Sequence, residues 1–379
     1  MKKLGLTIFF DVFALMLLGL TIVMSASSTY SVFKFDSVFY LFNSHLFKVV
    51  LGIGAIILFA LIPYEYYRRL SKPVMIIITI LLVVTLLFAP DIKGAGRWMS
   101  FGFFSIQPAD FARLALIIHL AVLLEAKANV IDNYREGFLY FFIWIIVISG
   151  LIMLQPNISS GVMLIFISLV IIYAGGAKLK HILASMVISG IVIGAAAMIF
   201  PHSRSRIFSF VNSVISGGDL NFQVKQALYS LGSGGIFGVG IGNSMQSNLF
   251  LPEAYGDFIF AILGEEFGLI GSIIVLLAYL VLLVCGILVA KKTKDQFGQL
   301  LAFGITISIV FYAFVNVAVT TGVLPTTGLP LPFISYGGTS LIFLCISVGI
   351  LINIAFTNHL RQNGVVYVPD ENSFKGINR

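Results

Sequence analysis

Apolar runs of bilayer-crossing length follow one another almost without a break, at approximately 6–26, 46–63, 73–89, 108–126, 138–154, 160–175, 181–200, 257–290, 299–320 and 337–357. The hydrocarbon core of a bilayer is about 30 Å thick, and a helix crosses it in roughly 20 residues. The expectation is therefore an all-α, polytopic integral membrane protein with about ten transmembrane helices. The runs leave no room for a separate soluble domain, so residues 1–379 read as one domain. A chain that is 59% hydrophobic and 10% charged, with mean hydropathy +1.04, lies outside the range of soluble globular proteins.

Charge sets the orientation. With Met1 inside, fifteen of the 23 Lys and Arg residues fall on the same side, from Lys2 and Lys3 to Arg361, Lys375 and Arg379, seven fall on the other, and Arg113 lies within a run. Cytoplasmic loops carry the excess of Lys and Arg, so both termini are expected in the cytoplasm, with the first run retained as a span rather than removed as a signal peptide. The net charge of +7 is spread between spans and forms no basic run, which argues against a nucleic-acid partner. The longest loop, 201–256, between helices 7 and 8, is then extracytoplasmic, together with 90–107 and 322–336.

Within that loop Ile207, Phe208, Phe210, Val211, Val214 and Ile215 recur at helical spacing, as in a helix lying on a membrane surface. The glycine-rich run 232–242 lacks the preceding strand and the following Lys-Ser/Thr of a phosphate-cradling loop, so a flexible or tightly turned segment is expected. The polar stretch from about 358 onward is expected to be disordered. Cys285 and Cys345 sit in apolar runs, as reduced, buried side chains. No Ser/His/Asp, HExxH or Cys/His pattern supports hydrolase or zinc chemistry.

Acidic residues are few, yet Glu253, Asp257, Glu265 and Glu266 crowd together where the long loop re-enters a span. Ionisable groups at membrane depth are expensive, and they mark function by default. Asp257 reads either as a reactive carboxylate or as the N-cap of the eighth span. Glu253, about one turn upstream, either faces the same way or is a solvated residue after Pro252. Glu265 and Glu266 lie roughly 12 Å further along a helix, too far to share a proton with Asp257; one of them is expected to pair with a cation such as Arg113. Arg113 also stands three residues from Asp110, which allows a local ion pair. His119 reads as a satisfied buried histidine, and Trp98 as an interfacial anchor or a functional residue.

Several ordered motifs then carry a resemblance over nearly the whole chain. Gly94-Ala-Gly-Arg-Trp98, Gln107-Pro-Ala-Asp-Phe-Ala-Arg-Leu-Ala115, Leu154-Gln-Pro-Asn157, Leu231-Gly-Ser-Gly-Gly235, Leu251-Pro-Glu-Ala-Tyr-Gly-Asp-Phe-Ile-Phe260, Gly264-Glu-Glu-Phe-Gly268 and the stretch from Leu324 to Gly338 resemble the SEDS family (shape, elongation, division, sporulation). Gly242-Asn-Ser and Leu-Pro-Thr-Thr-Gly make its division-type members the better match. The resemblance implies a ten-span peptidoglycan glycosyltransferase of the bacterial plasma membrane that polymerises lipid II, alongside a class B penicillin-binding protein and other division or elongation proteins. It implies Asp257 as the catalytic acidic position and a role in activity for Trp98.

Sugar transfer from a polyprenyl diphosphate needs a base for the acceptor hydroxyl and positive charge for the departing diphosphate. Arg97, Arg204, Arg206 and Lys225 lie on the same outer side as Asp257, and Arg113 and Glu253 complete the candidate substrate-binding set. One carboxylate suffices for an inverting displacement. No metal ligands are expected, and a divalent cation at the diphosphate is neither required nor excluded by the sequence. The alternatives are a lipid II flippase, or other lipid-linked-sugar transporter, and a non-catalytic division scaffold. The chain departs from the family pattern where Asp110 and Arg113 stand for Glu and Lys, Asn157 for Asp, and Tyr255-Gly256 for His-Thr.

Overall fold

A computed structural model describes residues 1–89, 96–100, 105–215, 218, 220–248 and 250–364. Twelve α-helices carry the fold: α1 (Lys2–Phe35), α2 (Tyr40–Leu61), α3 (Glu65–Phe88), α4 (Pro108–Ala126), α5 (Leu139–Leu154), α6 (Ile158–Ala174), α7 (Leu179–Ile199), α8 (Pro201–Ile215), α9 (Phe222–Gly234), α10 (Ile259–Lys292), α11 (Gln296–Thr320) and α12 (Thr339–Gln362). A π-turn, Tyr134–Phe138, leads into α5, and a two-residue β ribbon pairs Met99–Ser100 with Ser105–Ile106. Eight of the described helices are long and apolar enough to cross a membrane: α1, α2, α3, α5 with its π-turn, α7, α10, α11 and α12. The other two expected spans are helices as well. α4 has 19 residues and carries Asp110, Arg113 and Glu125, and α6 is a shorter apolar helix.

Apolar side chains at helical spacing decide what packs on what. α12 lies along α2, α10 along α11 and α1, and α3 along α4. α8 and α9 come from the long loop; α8 was anticipated by its periodicity, whereas α9 was not. The end of the chain corrects one expectation. Residues 358–362 are not disordered but form the last turn of α12, with Asn358 buried at 1% exposure; residues 365–379 lie outside the described residues.

α1 and α10 each run 34 residues, about 51 Å at 1.5 Å per residue and well beyond a bilayer core. α10 spends its excess length in contact with the glycine-rich run. The helix kinks at Gly268 (φ 65°, ψ −164°), and the freed backbone groups pair outward: Leu269 N–H donates to Gly235 O at 2.9 Å, while Val239 N–H donates to Glu265 O at 2.9 Å and Gly240 N–H to Glu266 O at 3.1 Å. A Cβ on Gly238 would stand 2.1 Å from Glu266 O, and one on Gly268 2.4 Å from Gly238 N. Gly234 and Gly238 are glycine because two backbones touch there, and Gly240 and Gly242 take up positive φ. Of the two expected forms, residues 235–242 take the tightly turned one.

This packing also corrects the expected pairing of Glu265 or Glu266 with Arg113. Both carboxylates are 2% exposed and are met by neutral donors. Glu265 accepts from Ser230 Oγ (2.8 Å), Ser244 Oγ (2.6 Å) and Met245 N (2.9 Å). Glu266 accepts from Ser25 Oγ and from Gly242 N. Hydrogen bonds from neutral groups hold buried carboxylates without a counter-charge. Arg113 is instead occupied within its own layer, 3.8 Å from Asp110 Oδ1 and 4.3 Å above the Tyr312 ring. The buried His119 has Ser71 Oγ 2.8 Å from Nδ1, and its Nε2 has no hydrogen-bond partner among the described residues.

At the end opposite the long loop, a polar cluster ties four helices together. Arg361 contacts Glu65, the Tyr64 hydroxyl (2.7 Å) and Asp295 (3.5 Å). Arg68 reaches Glu125 at 2.9 Å and Asp295 at 3.6 Å, and Asp295 caps α11 through Gly298 N. Charges that share neighbours in this way fix the helix ends more firmly than an isolated surface pair would.

Candidate active site

The stretch from Pro252 to Phe258 is a compact turn. Gly256 N and Phe258 N both donate to Glu253 O, at 2.9 and 3.3 Å, and Glu253 takes up φ 57°. α10 begins at Ile259 with Phe258 as its N-cap, so Asp257 stands one residue before the cap. Three successive carbonyls of the turn are held from outside. Tyr255 O accepts from Tyr336 N (2.9 Å), Gly256 O from Ser335 Oγ (2.8 Å) and Asp257 O from Asn316 Nδ2 (2.7 Å). The backbone beneath Asp257 is thus anchored, while its side chain stays half-buried.

That side chain faces the stretch before α12. A Cβ built on Gly328 would lie 3.3 Å from Asp257 Oδ2 and 3.7 Å from Arg206 Nη1, so carboxylate and guanidinium converge on one glycine. Arg206 comes from α8 and donates to Thr326 O at 3.4 Å. Burial pulls its guanidinium below the ordinary value; the Asp257 carboxylate pushes it back up, and the like charge of Arg97 pulls it down again. Arginine keeps its proton in proteins, so Arg206 faces the carboxylate as a cation in a partly dry setting. Arg97 is itself half-buried, and its Nε has no hydrogen-bond partner among the described residues. A small hollow with room for about one water opens beside Arg206, lined by Phe210, Asn221, Val224, Leu324 and Thr326 among others.

The remaining candidates are placed less uniformly. Trp98 lies over the start of α12, where a Cβ on Gly338 would be 3.2 Å from its ring; it packs on protein rather than standing only as an interfacial anchor. Glu253 is half-buried and its charge, after burial, raises the Tyr255 phenol, which favours the reading in which it faces the turn. Arg204 is exposed on α8. Lys225, exposed on α9, lines a neighbouring hollow with Leu220, Leu228 and Tyr229. Arg113 belongs to the buried layer with Asp110 and Tyr312. The geometry therefore brings Asp257 and Arg206 together, with the charge of Arg97 acting on Arg206. Among the described residues no group of three or more His, Cys, Asp or Glu is arranged to hold a metal ion.

Sequence reasoning passed over Asn316, Ser335, Tyr336 and Lys48. Lys48 Nζ sits 3.2 Å from the Tyr336 hydroxyl and 4.2 Å above its ring, next to the turn that carries Asp257. Its signal was available, since a lysine inside an apolar run asks for a partner. Asn316 gave the same signal more weakly, as an amide within the apolar run that forms α11.

Comparison with known proteins follows the same lines. The FtsW, RodA and SpoVE family, described as cell cycle protein, matches residues 6–360. A probable peptidoglycan glycosyltransferase FtsW from Geobacter metallireducens is 36% identical over 358 residues, spanning 93% of this chain and 95% of that protein. Stage V sporulation protein E of Bacillus subtilis is 37% identical over 347 residues, spanning 90% and 94%. Among solved structures, a chain of a peptidoglycan synthase complex that coordinates polymerization and crosslinking superposes with a TM-score of 0.74 at 22% identity, covering 93% of this chain and 97% of that one. The rod shape determining protein RodA of Thermus thermophilus superposes with 0.69 at 23% identity, covering 93% and 96%. At such identities these superpositions speak for the polytopic fold alone.

Proposed function

The chain belongs to the FtsW, RodA and SpoVE family of cell cycle proteins and is a peptidoglycan glycosyltransferase; from that premise we propose that it polymerises lipid II with Asp257 as its base. The observation that carries the reading is the convergence of one half-buried carboxylate with Arg206 beside Gly328, with the charge of Arg97 acting on that guanidinium. In the transfer, an acceptor sugar hydroxyl attacks the anomeric carbon of the lipid-linked donor. The new C–O bond forms as the bond to the diphosphate breaks, and the bonding electrons leave with the diphosphate. Asp257 takes the hydroxyl proton, a task that contributes typically 10²–10⁴-fold in rate. Arg206 and Arg97 meet the charge that builds on the leaving diphosphate, where partial burial strengthens their effect.

Position supports this assignment of roles. A lipid-linked sugar presents its diphosphate at the membrane surface, and Arg206 comes from a helix whose apolar spacing suits that surface. We place the site on the outer side of the bacterial plasma membrane, with both termini in the cytoplasm, because the Lys and Arg excess lies at the opposite end. A class B penicillin-binding protein is the partner that would crosslink the strands. Purified chain, assayed with and without that partner, should convert lipid II in detergent or vesicles into glycan strands. Movement of lipid II across vesicle membranes with no polymer formed by either preparation would overturn the reading in favour of transport.

A further inference from the structure

Asn316 is 1% exposed near the C-terminal end of α11, and its amide nitrogen serves two carbonyls at once: Asp257 O at 2.7 Å and Leu329 O at 2.7 Å. Its Oδ1 has no hydrogen-bond partner among the described residues. The orientation is nevertheless forced, because a flipped amide would set oxygen against two carbonyl oxygens. A buried acceptor left unpartnered in a native fold asks for an explanation, and here the other end of the amide supplies one. Two N–H groups on a single short-armed atom are what the bridge requires, and no other side chain of this length offers them.

What the bridge joins matters. The segment 326–329 already holds Arg206 through Thr326 O, and Gly328 within it faces both Arg206 Nη1 and Asp257 Oδ2. Asn316 clamps the backbone of Asp257 to Leu329, one residue on. Carboxylate and guanidinium are thereby registered against one short stretch of chain. Ser335 and Tyr336 fix the two preceding carbonyls of the turn, but neither reaches residue 257 itself.

We propose that Asn316 is a positioning residue for the transfer reaction, holding the Asp257 carboxylate at its working distance from Arg206. It touches neither substrate nor reacting atoms and acts through Asp257, so the inference rests on the reading of Asp257 as the base. Misplacement of a reacting group by about 1 Å can cost 10²-fold in rate. A residue of this kind lowers kcat and leaves substrate affinity alone.

The test uses the full-length chain with its class B partner, measuring kcat on lipid II, lipid II affinity and thermal midpoint for Asn316→Ala, Asn316→Ser and Asp257→Asn. Thr320→Val serves as the control, since it deletes a buried hydroxyl on the same helix that donates only to Asn316 O. Asn316→Ala is expected to lose about tenfold to a hundredfold in kcat at an affinity within about twofold of wild type. Asn316→Ser, which keeps one donor, should fall between, and Thr320→Val should keep its rate. If Asn316→Ala does not fold, the folded serine variant decides. Wild-type kcat in that variant, or a loss no larger than in Thr320→Val at the same thermal midpoint, overturns the inference. The two readings fail separately: a polymerising Asp257→Asn removes the base assignment, whereas a silent Asp257→Asn beside a fully active Asn316→Ala removes only the role of Asn316.

Discussion

Gly328→Ala isolates the contact at the centre of the site. Gly328 adopts φ +74°, a left-handed conformation that costs an L-residue roughly 1–2 kcal/mol. Its new Cβ would also stand 3.3 Å from Asp257 Oδ2, tighter than ordinary contact, so carboxylate, guanidinium or both must yield by a few tenths of an ångström. Gly322→Ala separates the two effects. Gly322 has the same φ of +74°, and its Cβ would meet only Val224 and Leu228 side chains. Both variants should lose about 1–2 kcal/mol of stability, while Gly328→Ala alone should lose on the order of tenfold in turnover, a fraction of what a full 1 Å misplacement costs. The assay is lipid II polymerisation at saturating substrate, with thermal midpoints measured on the same preparations. Equal rates in the two variants, whether both high or both low, would refute the argument that Gly328 leaves room for the Asp257–Arg206 pair.

Other outcomes follow from the same geometry. Glu265→Ala strips the acceptor from Ser230, Ser244 and Met245 N, and at about 1–3 kcal/mol per stranded buried group it should sharply lower the thermal midpoint; Glu265→Gln, which keeps an acceptor oxygen, should lose clearly less. Arg206→Gln and Arg97→Gln should weaken lipid II binding and make the remaining affinity less sensitive to salt, and unchanged binding in both singles and the double variant would remove them from the diphosphate site. Ser205→Cys, exposed on α8, should react with an impermeant maleimide in intact cells whose outer barrier is opened, with the buried Cys285 and Cys345 silent; labelling only after lysis would reverse the orientation.

Hydropathy made the spans legible, because burial in a bilayer demands long apolar helices whatever packs beside them. The surface helix α8 was legible for a related reason, since its period is local. What escaped was long-range. The run 232–242 looks like a loop until Gly268, some thirty residues later, is laid against it. Arg113 was offered to Glu265 or Glu266 because charge is visible in sequence, whereas the serines and backbone N–H groups that hold those carboxylates are not recognisable as partners. Asp257 stood out as a costly carboxylate at a span entrance. Asn316 did not, because the two carbonyls that give its amide a purpose lie 59 and 13 residues away.

The account stands most directly on polymerisation by Asp257→Asn. The amide keeps the size of the side chain and loses the proton acceptor, so a folded, membrane-inserted variant with a wild-type thermal midpoint should lose about 10²–10⁴-fold in lipid II polymerisation. Wild-type polymerisation by that well-folded variant would contradict the assignment of Asp257 as the base.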